Sequence, residues 1–411
     1  MERRVVITGM GAVTPIGNTA REFWQNAVSG KNGIGRITRF DTDGFKAKLA
    51  AEVKDFCPEK YMSPKDAKRM ELFCQFAMAA AHMAMEDSGL TADTQEPDRL
   101  GVMIGSGIGG LGIIEEQVLR LAEKGPGRVA PLFIPMAIAN MAGGNVAIRY
   151  GARGACAAIV TACATACNSI GEAFRYIKHG YADVMITGGT EASVTKIGIA
   201  GFINLTALST SEDPDRASIP FDKERSGFVM GEGAGVLILE EMEAALSRGA
   251  RIYAEVAGYG ANCDAFHITS PQPKGEGAAK AMALALAEAG LQPSDIGYIN
   301  AHGTGTPIND AAETSAIKSV FGEHAKNLLI SSTKSMTGHL LGATGAIESI
   351  AAVMAMVDGV VPPTIGFHQP DPECDLNYTI NTAIKRDISA SLNNSFGFGG
   401  HNAVLCFKKY S

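Results

Sequence analysis

The sequence predicts an α/β fold made of two similar halves, about 1–250 and 251–411, packed face to face. Three observations lead there. Short apolar strand-like runs alternate with helical ones, the pattern of buried strands covered by helices. One half repeats the plan of the other: "AMEDSGLTADTQEPDRLGVMIGSG" (84–107) and "ALAEAGLQPSDIGYINAHGTG" (285–305) each pass from an alanine-rich helix closed by Gly-Leu, through a polar linker with Pro and Asp, into a short strand and a glycine-rich turn. The chain also holds 48 glycines in 411 residues, so many backbones must pass close together or take turns that exclude side chains.

The elements follow in order. "MERRVVITGMGAVTPIG" superficially resembles a signal peptide, but Gly9, Gly11, Pro15 and Gly17 break its apolar run early, and a strand followed by a loop is expected. Gly89 and Gly290 end their helices because a helix C′ position favours the left-handed conformation. "AIVTACATAC" (158–167) joins a β-branched run, Ile159, Val160 and Thr161, to the helix "NSIGEAFRYIKHG", whose Ile170, Ala173, Phe174 and Ile177 recur at helical spacing. "DVMITGGTEAS" (183–193) and "SASLNNSFGFGG" (389–400) are matching strands, as are "RRVVITGMGAVTPIG" and "RIYAEVAGYGANCDA" (251–265). Loops at the strand ends of two such halves can meet.

Composition narrows the function. The net charge of −7 argues against nucleic acid as a partner. No stretch reaches the uninterrupted apolar length of a membrane span, so no membrane partner is expected. The eight cysteines show no CxxC pair or framework spacing, which suits a reducing, cytoplasmic setting. No metal site is expected, because Cys163 and Cys167 share a helical face without a third ligand.

Cys163 stands where strand gives way to helix. Unpaired N–H groups and the positive end of the helix dipole there would lower a thiol's pKa; the alternative is a small buried hydrophobe. Three loops can meet it. "INAHGTGTPIND" (299–310) carries His302, "ISSTKSMTGHLLGATGAIES" (330–349) carries Lys334, His339 and Glu348, and "NNSFGFGGHNAVLCF" (393–407) carries Phe396 and Phe398 among three glycines. A nucleophile, two neutral donors, a lysine–carboxylate pair and a mobile aromatic make up an acyl-transfer set.

"TACATA", "NAHGTGTP", "STKSMTGHLLGATGAIE" and "NSFGFGG", in this order and with similarity nearly end to end, resemble the elongating β-ketoacyl-acyl carrier protein synthases, specifically the synthase II type of bacterial fatty-acid synthesis. The resemblance implies a thiolase-like fold with a layered αβαβα core, a homodimer, and no bound cofactor, since phosphopantetheine arrives on the acyl carrier protein. It implies an acyl group carried on Cys163, condensed with malonyl-acyl carrier protein as CO2 is lost. His302 and His339 would hold the enolate, and Lys334 with Glu348 would orient them; a lysine nucleophile is the weaker rival. The N–H groups of Cys163 and Phe398 would hold the oxyanion, with Phe398 as a gate. Thr304 and Thr306 match positions bonding the pantetheine arm, or cap their own loop. Ile108, Phe202 and, from a partner subunit, Phe133 match acyl-pocket positions, or are ordinary core. Lys65, Lys68 and Arg69 in "SPKDAKRMELF" (63–73), on a helix opening after Pro64, match a carrier-docking patch, or form a solvated face.

The chain departs from the pattern at His401, Thr206 and Gly305; the first two bear on substrate preference and docking. A degradative thiolase would need a second cysteine in "NSFGFGGHN", starter-unit synthases pair Cys with His and Asn, and a non-catalytic chain-length subunit usually lacks the cysteine. A ketosynthase of a type II polyketide pathway keeps all these residues and is the alternative.

Overall fold

The computed structural model describes residues 3–91 and 95–410, so part of the first repeat's linker, 92–94, lies outside the described residues. Ten strands build the main sheet: β1 (Val5–Val13), β2 (Leu100–Gly105), β3 (Cys156–Ala157), β4 (Val184–Glu191), β5 (Gly233–Glu241), β6 (Ala254–Cys263), β7 (Ile296–Asn300), β8 (Leu329–Ser331), β9 (Ala390–Gly397) and β10 (His401–Lys408). Their spatial order is β8-β7-β9-β10-β6-β1-β5-β4-β2-β3. Each strand of the first half thus has a mate five numbers later in the second.

Register and direction repeat too. In the first half β2 is parallel to β3 and β4, and β5 is antiparallel to β4 and β1. The mates in the second half pair in the same senses. The halves join where Val5–Ile7 of β1 runs antiparallel to Ala254–Val256 of β6. Face-to-face packing is therefore only part of the arrangement, because the two half-sheets are one continuous sheet at this seam.

Four helices complete the layers: α1 (Leu72–Ser88), α2 (Thr165–Lys178), α3 (Glu276–Ala289) and α4 (Thr344–Asp358). The helices α2 and α4 touch strands of both halves and each other, so they form the middle layer. Outside, α1 covers β1, β5 and β4, while α3 covers β6, β10 and β9. One core, with Ile7, Phe174, Leu237, Tyr259, Ile350 and Phe407, lies around the middle layer, and a separate core lies under each outer helix. The folding class expected from the sequence, α/β with a thiolase-like duplicated core, is the one observed.

The expected strand and loop are present, and Gly9 and Gly11 lie within the strand. It runs straight through them because α1 packs against bare backbone: a Cβ would lie 2.2 Å from Ala84 O at Gly9 and 2.0 Å from Ala80 O at Gly11. The repeat keeps this contact. A Cβ at Gly258 would lie 2.2 Å from Ala285 O, and at Gly260 2.0 Å from Ala281 O. Gly89 and Gly290 close α1 and α3 at φ values of 67° and 66°.

Two further expectations change. Ile159–Thr161 are not a strand; only Cys156 and Ala157 pair, with Val102 and Met103, and the chain then leaves the sheet. Leu341–Asp358 is, by length and composition, apolar enough to cross a membrane, but 83% of it is buried in protein, as the middle layer of the fold requires.

Gly11→Val should lower stability by about 3 kcal/mol or more, because two backbones at contact distance cannot admit the side chain. Denaturant unfolding of the variant checks this, and an unchanged midpoint would mean that α1 moves aside freely.

Candidate active site

Cys163 lies in a single 3-10 turn, Ala162–Ala164, directly ahead of α2. Ala162 takes φ +50°, a left-handed value uncommon for a side-chain-bearing residue, so the chain bends sharply into the helix. Thr165 Oγ1 accepts from Thr161 N (2.9 Å), and Asn168 Nδ2 donates to Thr161 Oγ1 (2.6 Å), which fixes the bend. Across it lies the end of β9. A Cβ on Gly397 would come 2.5 Å from Thr161 O and 3.2 Å from Cys163 N, so only glycine lets this strand approach. The backbone N–H groups of Phe398 and of Cys163 itself both favour the ionised thiol.

Burial nevertheless dominates. It pushes the Cys163 thiol up to about 12, against the pull of the Lys334 charge and those two amides. The expected lowering by the helix start is overturned: at the buried floor of the cavity, loss of hydration outweighs the dipole, and the resting group is a thiol.

His302 and His339 come together as expected, with ring centroids 5.4 Å apart and nearly perpendicular. Both are buried, and burial with the nearby Lys334 charge holds both well below the ordinary histidine value of 6.5. They are neutral imidazoles at pH 7. Thr344 Oγ1, at the start of α4, lies 2.9 Å from His339 Nδ1. With that hydroxyl donating, the ring carries its proton on Nε2, which is buried without a partner. His302 is set by its backbone: its N–H and that of Gly303 donate to the Glu313 carboxylate at 2.9 and 2.8 Å.

Lys334 Nζ donates to Glu348 Oε1 at 2.7 Å, with both side chains almost wholly buried. Burial pushes the Glu348 carboxyl up to about 7, against the opposing pull of Lys334. No hydrogen bond runs from the pair to either ring, so its influence on the histidines is electrostatic. Burial is the larger cause of their neutrality, and the charge of Lys334 adds to it.

Cys163, His302, His339, Phe202, Thr304, Thr306 and Phe398 line one cavity of about 430 Å³. Thr304 and Thr306 hydroxyls lie 2.9 Å apart there. Phe202 stands between Phe228 and Phe398, with centroids 5.6 and 6.3 Å away. Phe398 is followed by Gly399 and Gly400, both at positive φ (87° and 76°), a backbone suited to swinging. Ile108 and Phe133 do not line this cavity. Ile108 is 37% exposed on the turn after β2, and Phe133 opens a short surface helix, Phe133–Ala137. Lys65, Lys68 and Arg69 are exposed, and none has an ion-pair partner among the described residues. The helix carrying them is one turn, Pro64–Ala67 under a Ser63 cap, so Arg69 lies just beyond it.

Sequence reasoning missed several site residues. Phe228 packs edge-on to His339 at 5.1 Å, and Glu313 joins His302 to Asn394 of β9, whose Nδ2 donates to it at 3.0 Å. Glu313 and Glu191 stand among other polar residues, so nothing local marked them, whereas Thr344 interrupts the small and apolar run "HLLGATGAI" (339–347). Among the described residues no three His, Cys, Asp or Glu side chains gather as a metal set.

Similarity to known proteins was assessed against this geometry. Residues 2–245 match the Beta-ketoacyl synthase, N-terminal domain, and residues 253–368 the Beta-ketoacyl synthase, C-terminal domain. A 3-oxoacyl-[acyl-carrier-protein] synthase 2 of Synechocystis is 54% identical over 410 residues, covering 100% of this chain and 99% of that one. The protein of the same name from Staphylococcus aureus is 54% identical over 408 residues, 99% of each. Among solved structures, a type II polyketide ketosynthase bound to a hexaketide and in complex with its acyl-carrier protein superposes with TM-score 0.93 at 37% identity over all of both chains. A beta-ketoacyl synthase from Burkholderia phymatum superposes with TM-score 0.92 at 34% identity, again over all of both.

Neutral histidines make a testable pH signature. The imidazole signals of His302 and His339, followed by NMR, should show no protonation step as pH falls through 6.5. Because their folded values lie below the unfolded one, the stability they contribute is complete above 6.5 and is lost as pH falls further. A step near 6.5 in either ring would contradict the depressed values.

Proposed function

The chain belongs to the β-ketoacyl synthase family, and we propose that it elongates fatty acids as a 3-oxoacyl-acyl carrier protein synthase of the type II class. The observation that carries the reading is the cavity in which one thiol, two backbone amides and two neutral imidazoles converge.

In the first half-reaction Cys163 Sγ attacks the thioester carbonyl of acyl-carrier protein. The S–H proton passes by way of a neutral histidine of the cavity to the departing carrier sulfur, which leaves as a thiol, so the histidine is neutral again. The tetrahedral oxyanion is held by the N–H groups of Cys163 and Phe398, dipoles already aimed at that point. In the second, the C–CO2 bond of malonyl-carrier protein breaks and its electrons move onto the thioester oxygen. Neutral His302 and His339 stabilise this enolate by donating one N–H each, so no proton need be lost first. The carbanion attacks the acyl-Cys163 carbonyl, the same two amides hold the second oxyanion, and the cysteine leaves as a thiolate that takes a proton from solvent as 3-oxoacyl-carrier protein departs. Lys334, paired with Glu348, sustains the neutral histidines. Thr304 and Thr306 bond the pantetheine arm, Phe202 lines the acyl end of the cavity, and Phe398 gates it.

The same reading makes the enzyme a cytoplasmic homodimer with no cofactor of its own. The edge strand β3, with Cys156 and Ala157 exposed, together with Val160, Ile134 and Ile148 offers an apolar face to a second copy. Phe133, remote from its own cavity, would enter the partner's. A type II polyketide ketosynthase is the second reading, favoured by the 0.93 superposition. The higher identity to the fatty-acid enzymes, 54% against 37%, favours elongation.

Incubation with malonyl- and saturated acyl-carrier proteins of graded length should give 3-oxoacyl products and acylated Cys163, seen by mass spectrometry. Cys163→Gln places an amide oxygen where the acyl carbonyl would sit, so this variant should release CO2 and yield acetyl-carrier protein without condensation. Adding His302→Ala and His339→Ala should cut that release by about a hundredfold or more. Undiminished release from the triple variant would remove both histidines from the mechanism.

The carrier protein is acidic, and so is this chain, so docking needs a local basic patch. Charge reversal at Lys65 and Arg69 should raise KM for acyl-carrier protein by about tenfold, with little effect on small thioester mimics. Equal losses with both substrates would point to misfolding and away from docking.

A further inference from the structure

The duplicated halves contain a second copy of the Cys163 turn. Leu341–Ala343 is also a single 3-10 turn leading straight into a middle-layer helix, and Leu341 takes φ +49° where Ala162 takes +50°. In this copy Gly342 stands in the place of Cys163. The sheet register supplies the other mate. Val184 of β4 pairs with Glu240 and Ala390 of β9 pairs with Lys408, and counting along both strands aligns Glu191 with Gly397. In the catalytic copy, the end of β9 presents Gly397 and the Phe398 amide to the thiol. In the other, the end of β4 presents a carboxylate to the Gly342 amide, which donates to Glu191 Oε2 at 3.0 Å.

We propose that Glu191 is a positioning residue for the condensation, a built-in carboxylate filling the second turn's oxyanion-binding place and locking the turn after His339 to the Ser106–Ile108 turn, which packs against the residue before Cys163. Its side chain is 0% exposed and accepts five hydrogen bonds. Oε1 receives Ser106 Oγ (3.0 Å), Ile108 N (3.3 Å) and Ser193 Oγ (3.0 Å), and Oε2 receives Gly107 N (2.9 Å) as well as Gly342 N. Three of the five partners are backbone N–H groups, which can only donate, and the two serine hydroxyls donate here, so a carboxylate matches the set. Glutamine would aim its NH2 at a backbone N–H in either orientation, that of Ile108 on one side or those of Gly107 and Gly342 on the other.

Three turns crowd onto this carboxylate. A Cβ on Gly107 would lie 2.8 Å from Glu191 Oε2 and 3.3 Å from both Ala162 O and Gly342 N. A Cβ on Gly342 would lie 2.2 Å from Gly107 N. The carboxylate thereby ties the Ile108 turn to the segment three residues after His339, and Gly107 of that joint lies against Ala162, the residue before Cys163. Burial raises the Glu191 carboxyl above the usual carboxylate range while its donors from Gly342, Ser193, Ser106 and Gly107 pull it back, and in its ionised form it opposes ionisation of Cys163.

The inference rests on the condensing reading, and the experiment separates the two. Glu191→Gln and Glu191→Asp are made in the wild-type and Cys163→Gln backgrounds. In the latter, Glu191→Gln should slow CO2 release from malonyl-carrier protein by about tenfold or more, mainly in kcat, because a misplaced enolate donor is lost in the transition state. In the wild-type background it should make Cys163 alkylation by iodoacetamide about tenfold faster at a fixed pH below the thiol midpoint, as loss of a nearby negative charge favours the thiolate. Glu191→Asp keeps the charge but not the reach, so release should fall while the alkylation profile stays. A folded Glu191→Gln enzyme with unchanged release and an unchanged alkylation profile would overturn the proposal. Should that variant fail to fold by circular dichroism, undiminished release from Glu191→Asp would overturn it. If the Cys163→Gln parent released no CO2, the condensing reading would fail instead, and the alkylation profiles, which need no carrier substrate, would still decide for or against Glu191.

Discussion

The site depends on backbone meeting backbone where a side chain cannot stand. Gly397 against Thr161 O brings the end of β9 onto the Cys163 turn, and Gly107 against Gly342 does the same for the second turn. A Cβ on Gly345 would lie 2.7 Å from Cys167 Sγ and 2.8 Å from Cys167 N, so the two middle-layer helices also cross through a glycine. These approaches deliver N–H groups to the thiol at fixed angles. Side chains would have to be held by further packing, whereas backbone dipoles arrive already oriented by the sheet.

Given that scaffold, charge is handled by burying it in small closed sets. Lys334 with Glu348, Glu313 on the His302 loop and Glu191 on the second turn are all inaccessible to water, and each is met by donors or an opposite charge. Burial makes their fields long-lived and little screened, which is why one lysine can help keep two imidazoles neutral without touching them. The same burial keeps the thiol protonated until substrate enters. Desolvation and preorganised dipoles pull in opposite directions at Cys163, and the resting pocket lets desolvation win.

Duplication explains the division of labour. Both halves present a bent turn at the head of a buried helix, but the route into it differs. The path from β3 to the first turn is short, 158–161, whereas the path from β8 to the second, 332–340, is longer and holds Lys334 and His339. On the proposed reading the first half therefore supplies the nucleophile, and the second uses its extra length for the histidine and lysine that serve it. A carboxylate stands where the second half has no substrate to bind.

The alternation of strands and helices, the repeat and the capping glycines were legible along the chain, because periodicity and local backbone preference are properties of neighbouring residues. So were Cys163, His302, His339 and the Lys334–Glu348 pair, each set among small residues at the end of a strand. What the chain could not reveal came from distance in sequence. Gly9 and Gly11 read only as breaks in an apolar run until the carbonyls of α1 lie against them, Ile159–Thr161 read as strand until no neighbour pairs with them, and the Cys163 thiol reads as acidified until it is buried. Residue types and their order determined this protein's chemistry and its duplicated plan. Only the tertiary structure decided which backbones touch, which groups lose their water, and hence that Glu191 and Glu313 hold the site together, since burial and close approach are set by residues 81 and 151 positions apart.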